Sequence, residues 1–269
     1  EFRQTGPEGS AEFNWIPPAP VLLAEAEKVA RDADVVIVCV GLNGSLEGEG
    51  RDRAAIELPE AEEDLVQSMI ATGKPVVVVL TSGSALAVNH AAEHAAAILS
   101  AWYGGEEAGS AIADTLAGTN NPAGRLPVTF YKSTSQLPPF TDYDMKGRTY
   151  RYFEGEPLYP FGFGLSYSTF QYSGLTARRT QRGAEVRVTV KNTSAVDGDE
   201  VVQVYVDGGP GEDAPIRDLR GFERVHLRAG ESRQVTFTVP SDELPKEKVV
   251  ISVGGGQPLP GIPHVKTEL

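Results

Sequence analysis

Cysteine is almost absent from this sequence: Cys39 is the only one in 269 residues. A lone thiol can close no internal disulfide and excludes any cysteine-based zinc cluster. It lies within the apolar run Val35-Val36-Ile37-Val38-Cys39-Val40, where it reads as a buried strand residue and says nothing about compartment. Positive charge is also scarce. There are 24 Lys and Arg against 37 Asp and Glu, a net of −13, and the acid excess falls almost wholly before residue 166. A phosphate backbone is bound by basic surface, so no nucleic-acid partner is expected, and a sugar or another neutral ligand fits better. No apolar run approaches the roughly 18 to 20 residues that a membrane helix needs, so no membrane partner is expected either. The chain begins Glu1-Phe2-Arg3-Gln4, with neither Met nor the apolar core of a signal peptide, and reads as the middle of something longer. There is no Gly-x-Ser-x-Gly elbow to anchor serine-hydrolase chemistry, no internal repeat of fixed period and no low-complexity tract.

What is present is 41% hydrophobic residues with 29 Gly and 19 Pro, enough apolar material for one large or two modest cores. From residue 21 to about 130, helix-like and buried-strand-like segments alternate. Leu22 to Ala33 predicts a helix leading into a strand from Asp34 to Gly41. Pro59 to Thr72 predicts a second helix, followed by the strand Val76 to Leu80. His90 to Ala95, Ala96 to Trp102 and Glu106 to Leu116 continue as helix, strand and helix, the last with two glutamates in its first turn. Continuous apolar strands alternating with helices imply an α/β domain, a mostly parallel sheet with helices on both faces. After Gly164 the pattern becomes short alternating runs such as Glu185 to Val190, Val201 to Val206, Gln234 to Val239 and Val249 to Val253, an all-β sandwich. Leu126 to Tyr167, rich in Pro, Gly and aromatics, reads as an ordered connector packed on the first domain. The expected division is residues 1–20, the tail of a preceding domain; 21–166, the α/β domain with its connector; and 167–269, the β-sandwich.

The connection from Leu42 to Leu58 is some three times longer than the usual βα loop of about two to six residues, and the carboxyl ends of parallel strands are where such sheets place ligands. It reads Gly41-Leu42-Asn43-Gly44-Ser45-Leu46-Glu47-Gly48-Glu49-Gly50-Arg51-Asp52-Arg53. Two carboxylates sit among glycines, which let the backbone approach a ligand closely. A carboxyl there serves as general acid if its surroundings raise its pKa. By composition alone, the plainer reading of the same letters prevails, a solvated acidic loop that merely joins two elements.

The segment Glu47-Gly48-Glu49-Gly50-Arg51-Asp52-Arg53 followed by Leu58-Pro59 resembles the acid/base loop in the carboxyl-terminal α/β-sandwich domain of glycoside hydrolase family 3, the β-glucosidases and β-xylosidases. Three further stretches are similar: Trp102 to Gly109 with Ala111 to Asp114, Asn121 to Phe130, and Tyr150 to Phe153 through Tyr159 to Tyr167. The β-rich tail, with Asp199 to Val206 and Leu219 to Val225, resembles the fibronectin-III-like domain that ends many of these enzymes. The resemblance covers about residues 21 to 255. It implies retaining hydrolysis of β-linked glucosides or xylosides from the non-reducing end, with one carboxylate attacking the anomeric carbon and a second, about 5 to 5.5 Å away, protonating the leaving oxygen. Glu49, three residues before Asp52, matches the family's acid/base most directly, and Glu47, five before it, is the alternative. Arg51, Asp52 and Arg53 are then candidates to hold the loop and tune the carboxyl, with surface ion pairing as the plain alternative. Trp102 and Tyr103 are candidates for the substrate wall, or for the core.

In the family the nucleophile is an aspartate in a Ser-Asp-Trp context on an amino-terminal (β/α)8 barrel. Here the only Ser-Asp pair, Ser241-Asp242, precedes Glu243 in the β domain, so this chain holds no nucleophile. It is expected to be a carboxyl-terminal fragment, inactive alone, whose partners are the barrel of the same protein and a β-glycoside. Residues 1–20 resemble the end of a carbohydrate-binding insert that some members carry. A periplasmic or extracellular location is what the family implies. No cofactor and no metal are expected. His90-Ala91-Ala92-Glu93-His94 spells the His-x-x-Glu-His of inverted zinc peptidases but lacks an evident third ligand and reads as a surface helix. Thr81-Ser82-Gly83-Ser84 could cradle a phosphate as a flavodoxin-like nucleotide binder would, yet fits neither phosphate-loop pattern. Asn43-Gly44-Ser45 and Asn192-Thr193-Ser194 are glycosylation sequons on paper. A non-catalytic module that binds glycans or scaffolds a separate barrel would keep the same architecture without hydrolysis.

Overall fold

The computed structural model describes residues 17–209, 211 and 213–269. The expected tail of a preceding domain, residues 1–20, therefore lies outside the described residues except for its last four, of which Ala19 and Pro20 open the first helix.

Three parallel strands form the α/β sheet in the order β1 (Val36–Gly41), β2 (Val76–Thr81), β3 (Ala97–Ser100), with Val38 opposite Val78 and Val78 opposite Ile98. The helices between them form for legible reasons. α1 (Ala19–Arg31) is Ala-rich, carries Pro in its first turn, and ends with Lys28 and Arg31 near the carboxyl end of its dipole. α2 (Glu60–Ala71) follows Pro59 and opens with Glu60, Glu62 and Glu63. α1, α2 and the short α3 (Asn89–His94) cover one face of the sheet. Ala30, Val66, Met69 and Ala91 pack there against Val38, Val40, Val78 and Leu80. α4 (Ala108–Ala117) stands beside the opposite face, its Ile112 and Thr115 sharing a groove with Thr81 and Leu99. Its two expected first-turn glutamates fall just outside it, Glu107 at the cap and Glu106 before that.

Above β1 that second face is uncovered among the described residues, with Ile37 54% exposed. Cys39 shares this face and is exposed. The expectation of a buried thiol is thus corrected: the residue is in the predicted strand, but only alternate positions, Val38 and Val40, meet the helices.

The second domain is a β-sandwich with sheets in the order β10-β9-β6-β7 and β4-β5-β8. Its strands are β4 (Phe170–Thr180), β5 (Gly183–Asn192), β6 (Gly198–Asp207), β7 (Arg217–Leu227), β8 (Ser232–Pro240), β9 (Val250–Gly254) and β10 (His264–Glu268). Val186, Val188 and Val190 of β5 face Val202, Val204 and Val206 of β6 in one core.

The connector runs between the two domains with several of its aromatics packed together, while Phe140 and Tyr143 stay exposed. Tyr159 stacks on Phe163 at 5.5 Å and Tyr150 on Phe161 at 4.2 Å, and Phe130 meets Trp102 and Tyr159 edge-on. Polar clamps complete the joint. Asn121 accepts from Ser166 Oγ and Tyr167 N and donates to Asp197 O and Ser168 Oγ. Arg125 reaches into the sandwich to pair with Glu200 at 2.6 Å, and their side chains are only 9% and 3% exposed.

Candidate active site

The long loop leaves β1 pinned at both ends. Gly41 N donates to Glu62 Oε2 on α2 at 2.6 Å, and Leu42 N donates to Thr81 O at 2.7 Å. On the return, Ala87 N donates to Ile56 O, and Leu58 is buried. Between these anchors the loop closes on itself. Asn43 Oδ1 accepts from Ser45 N and Ser45 Oγ, its carbonyl accepts from Leu46 N and Glu47 N, and Arg51 Nη1 donates to Gly44 O. This is Asx-turn chemistry, in which a short polar side chain substitutes for backbone pairing.

Glu47 faces the sheet. Its Oε1 accepts from Gly83 N and from Tyr103 OH, each at 2.5 Å, and its Oε2 accepts from Ser84 Oγ at 2.5 Å. Arg53 stands behind, donating through Nη2 to Ser84 Oγ and Ala85 O at 3.1 Å. Loops from the ends of all three parallel strands thus converge on one carboxylate. Gly83 makes the approach possible, since a Cβ there would stand 3.0 Å from Tyr103 Cε2 and 3.1 Å from Glu47 Oε1. Partial burial pushes the Glu47 carboxyl up, but the bonds from Ser84, Tyr103 and Gly83 and the charge of Arg53 outweigh it and hold it below its ordinary 4.5. The same bond raises the Tyr103 hydroxyl.

A depressed carboxylate stabilises the fold above its unfolded pKa, and that contribution is lost as pH falls through the folded value. Tyr103→Phe removes one donor. The Glu47 pKa should then move up toward 4.5 in a carbonyl-detected NMR titration, and the loop should loosen at a higher pH than in the parent. An unchanged titration would mean that Tyr103 is not a donor in solution.

Glu49 is placed differently. Gly48 and Arg51 pair across a tight turn, with Arg51 N donating to Gly48 O at 3.0 Å and Gly50 in the third position at φ +71, the sign a type II turn needs there. Glu49 sits at the second position of that turn, exposed, and makes no hydrogen bond or ion pair among the described residues. Asp52 likewise makes none among them. Of the three candidates to hold the loop, Arg53 touches the Glu47 cluster, Arg51 closes the loop, and Asp52 does neither.

Trp102 has φ +55, a left-handed conformation that costs a large side chain of order 1 to 3 kcal/mol. Its ring packs edge-on to Phe130, centroids 6.1 Å apart, and the next residue, Tyr103, is delivered to Glu47. Both rings line an open groove of about 390 Å³ shared with Thr81, Leu99 and Ile112, so Trp102 is half core and half wall, while Tyr103 is 53% exposed.

Ser84 and Gly83 were weighed only as a phosphate cradle, and their donors are turned to a carboxylate instead. His90 and His94 lie 4.6 Å apart on α3, and no group of three or more metal-ligating side chains occurs among the described residues.

The sequence matches the glycosyl hydrolase family 3 C-terminal domain over residues 11–167, more than half of the chain, and a fibronectin type III-like domain over 200–245. The chain belongs to glycoside hydrolase family 3. Among its relatives are a xylan 1,4-β-xylosidase of Xylanibacter ruminicola, 42% identical over 78% of this chain and 26% of that protein, and a periplasmic β-glucosidase of Salmonella typhimurium, 38% identical over 83% and 31%. The family 3 β-glucosidase of Bifidobacterium adolescentis superposes with a TM-score of 0.83 at 32% identity, covering 95% of this chain and 42% of that one. The β-glucosidase of Kluyveromyces marxianus in complex with glucose does so with 0.82 at 30%, covering 94% and 34%. The chain spans about a quarter to two fifths of the length of these family 3 proteins.

Proposed function

We propose that this chain supplies Glu49 as the general acid/base of a retaining, exo-acting β-glycosidase, acting on β-glucosides or β-xylosides, whose nucleophile lies on an amino-terminal barrel of the same protein. The observation that carries this reading is the contrast between the two loop glutamates. A general acid must hold a proton near neutral pH and give it to the leaving oxygen, which requires a carboxyl whose pKa rises when the site closes over it. Glu47 is committed the other way, with donors on both oxygens favouring its charged form. Glu49 is unpaired on the tip of the same loop, held out on a turn that Glu47 fastens to the sheet. Glu47 is therefore the positioning residue and Glu49 the one that meets substrate. Closure by the barrel and a bound sugar would take Glu49 out of water and against the leaving group. After the first step the resulting carboxylate takes a proton from water, which attacks the glycosyl-enzyme. Tyr103 and Trp102 would form part of the wall on the leaving-group side. The name of one relative, the periplasmic β-glucosidase of Salmonella typhimurium, favours a periplasmic setting.

Azide tests the role directly. In the full-length protein carrying Glu49→Gly, activity on an aryl β-glycoside should be restored by added azide, with the β-glycosyl azide as product, since azide needs no general base. Rescue in Glu47→Gly and none in Glu49→Gly would exchange the two roles. If neither is rescued and the parent protein hydrolyses no β-glycoside, alone or mixed with a separate barrel chain, the non-catalytic module is the correct reading.

A further inference from the structure

A second cavity, of about 390 Å³, lies where the connector meets the β-sandwich, remote in sequence from the acid/base loop. One wall is Thr129, Tyr150, Phe153 and Pro157 of the connector, and the other includes Arg217 at the start of β7 and Gln257 after β9. Three polar side chains on this lining have hydrogen-bonding capacity to spare. Thr129 is buried, and its Oγ1 makes no hydrogen bond. Gln257 is 5% exposed. It has only a long 3.5 Å bond from Nε2 to Tyr150 O, and its Oε1 accepts nothing among the described residues.

Arg217 is the most demanding of the three. Burial pulls its guanidinium down, and it makes no hydrogen bond or salt bridge among the described residues. Asp207 faces it across the β6–β7 ladder but divides its field between Arg217 and Lys266, and burial pushes the Asp207 carboxyl up. Glu154, at the rim, is exposed. Native interiors satisfy buried polar groups, and a buried hydroxyl without a partner, beside an amide that keeps one long bond and a half-buried guanidinium that makes none, points to a missing ligand. The guanidinium fork matches a carboxylate. The hydroxyl and the amide oxygen match sugar hydroxyls, and the Phe153 and Tyr150 rings offer an apolar wall. A volume of this size lies at the lower end of small-ligand pockets.

We propose that this cavity binds a monosaccharide bearing a carboxylate, a uronic acid, with its carboxylate on Arg217 and ring hydroxyls on Thr129 and Gln257. The site is independent of the hydrolytic reading and stands whether or not Glu49 is the acid/base.

The test is ligand-observed NMR titration of the full-length protein with glucuronate, with glucose and acetate as the neutral ring and the ringless carboxylate. Glucuronate should bind at least about tenfold more tightly than either. Arg217→Gln should abolish that preference, by the weight of a hydrogen bond to a charged group. Thr129→Val removes a hydroxyl that has no partner in the free protein, so it should leave the melting temperature unchanged or raise it while weakening glucuronate several-fold; this holds the test open if Arg217→Gln does not fold. Absence of glucuronate binding, equal binding of glucose, or undiminished binding in both variants overturns the proposal.

Discussion

Replacing Glu49 by glutamine in the full-length enzyme is expected to lower kcat/KM for alkyl and disaccharide β-glycosides by about 10²- to 10⁴-fold, the usual span of a lost general acid. Activated aryl glycosides should lose far less in the glycosylation step, because a nitrophenolate leaves without a proton. The amide keeps the size and turn geometry of the carboxyl but cannot activate water, so with aryl glycosides the glycosyl-enzyme should accumulate and kcat and KM should fall together. Glu47→Gln should behave otherwise. It removes the charge that Gly83 N, Ser84 Oγ and Tyr103 OH address, so the loop loses its fastening and both substrate classes slow together. Equal losses for the two classes in Glu49→Gln would sink the assignment of Glu49 as the acid.

The second large effect is on stability. Arg125→Met leaves Glu200 buried at the joint between the domains with only the Tyr172 hydroxyl, at 2.5 Å, donating to it. Burial already pushes the Glu200 carboxyl up, opposed by Arg125 and Tyr172; without Arg125 only the Tyr172 hydroxyl is left to offset a buried charge. Breaking a buried pair from one side costs about 3 to 5 kcal/mol, and the loss should appear in denaturant unfolding at neutral pH. Arg125 also donates to Gly255 O and Ala123 O, so the double variant Arg125→Met, Glu200→Leu should recover part of the loss rather than all of it. A cost below about 1 kcal/mol for Arg125→Met would place the pair among the energetically idle ones.

Much of this was legible before any coordinates. Val36 to Gly41 and Val76 to Thr81 announce themselves as buried parallel strands because apolar side chains fill both parities, and β5 shows its period of two in Glu185 to Val190. β7 did not stand out by pattern, since its middle residues, Phe222 to Arg224, include an apolar side chain left 68% exposed. The same logic misplaced Cys39: an apolar run predicts cover on both faces, and above β1 one face is uncovered among the described residues. The length and glycines of the Leu42 to Leu58 connection marked it out as the candidate site. The division of labour within it was not readable, because the donors that hold Glu47 lie 36, 37 and 56 residues away. Only the register that aligns β1, β2 and β3 brings their ends together. A spacing rule sees Glu47 and Glu49 as near equals two residues apart, whereas a turn at Gly48 to Arg51 gives one to the sheet and the other to solvent.

The sharp backbone turn at Trp102 has a practical corollary. The chain contains two tryptophans, Trp15 and Trp102, and the second sits one residue before the tyrosine that binds Glu47. With Trp15 replaced by phenylalanine, the long-wavelength ultraviolet emission of this chain would come from a single indole beside the Glu47 loop, so protonation of Glu47 and the arrival of a ligand in the neighbouring groove can be followed as fluorescence changes without attaching a label.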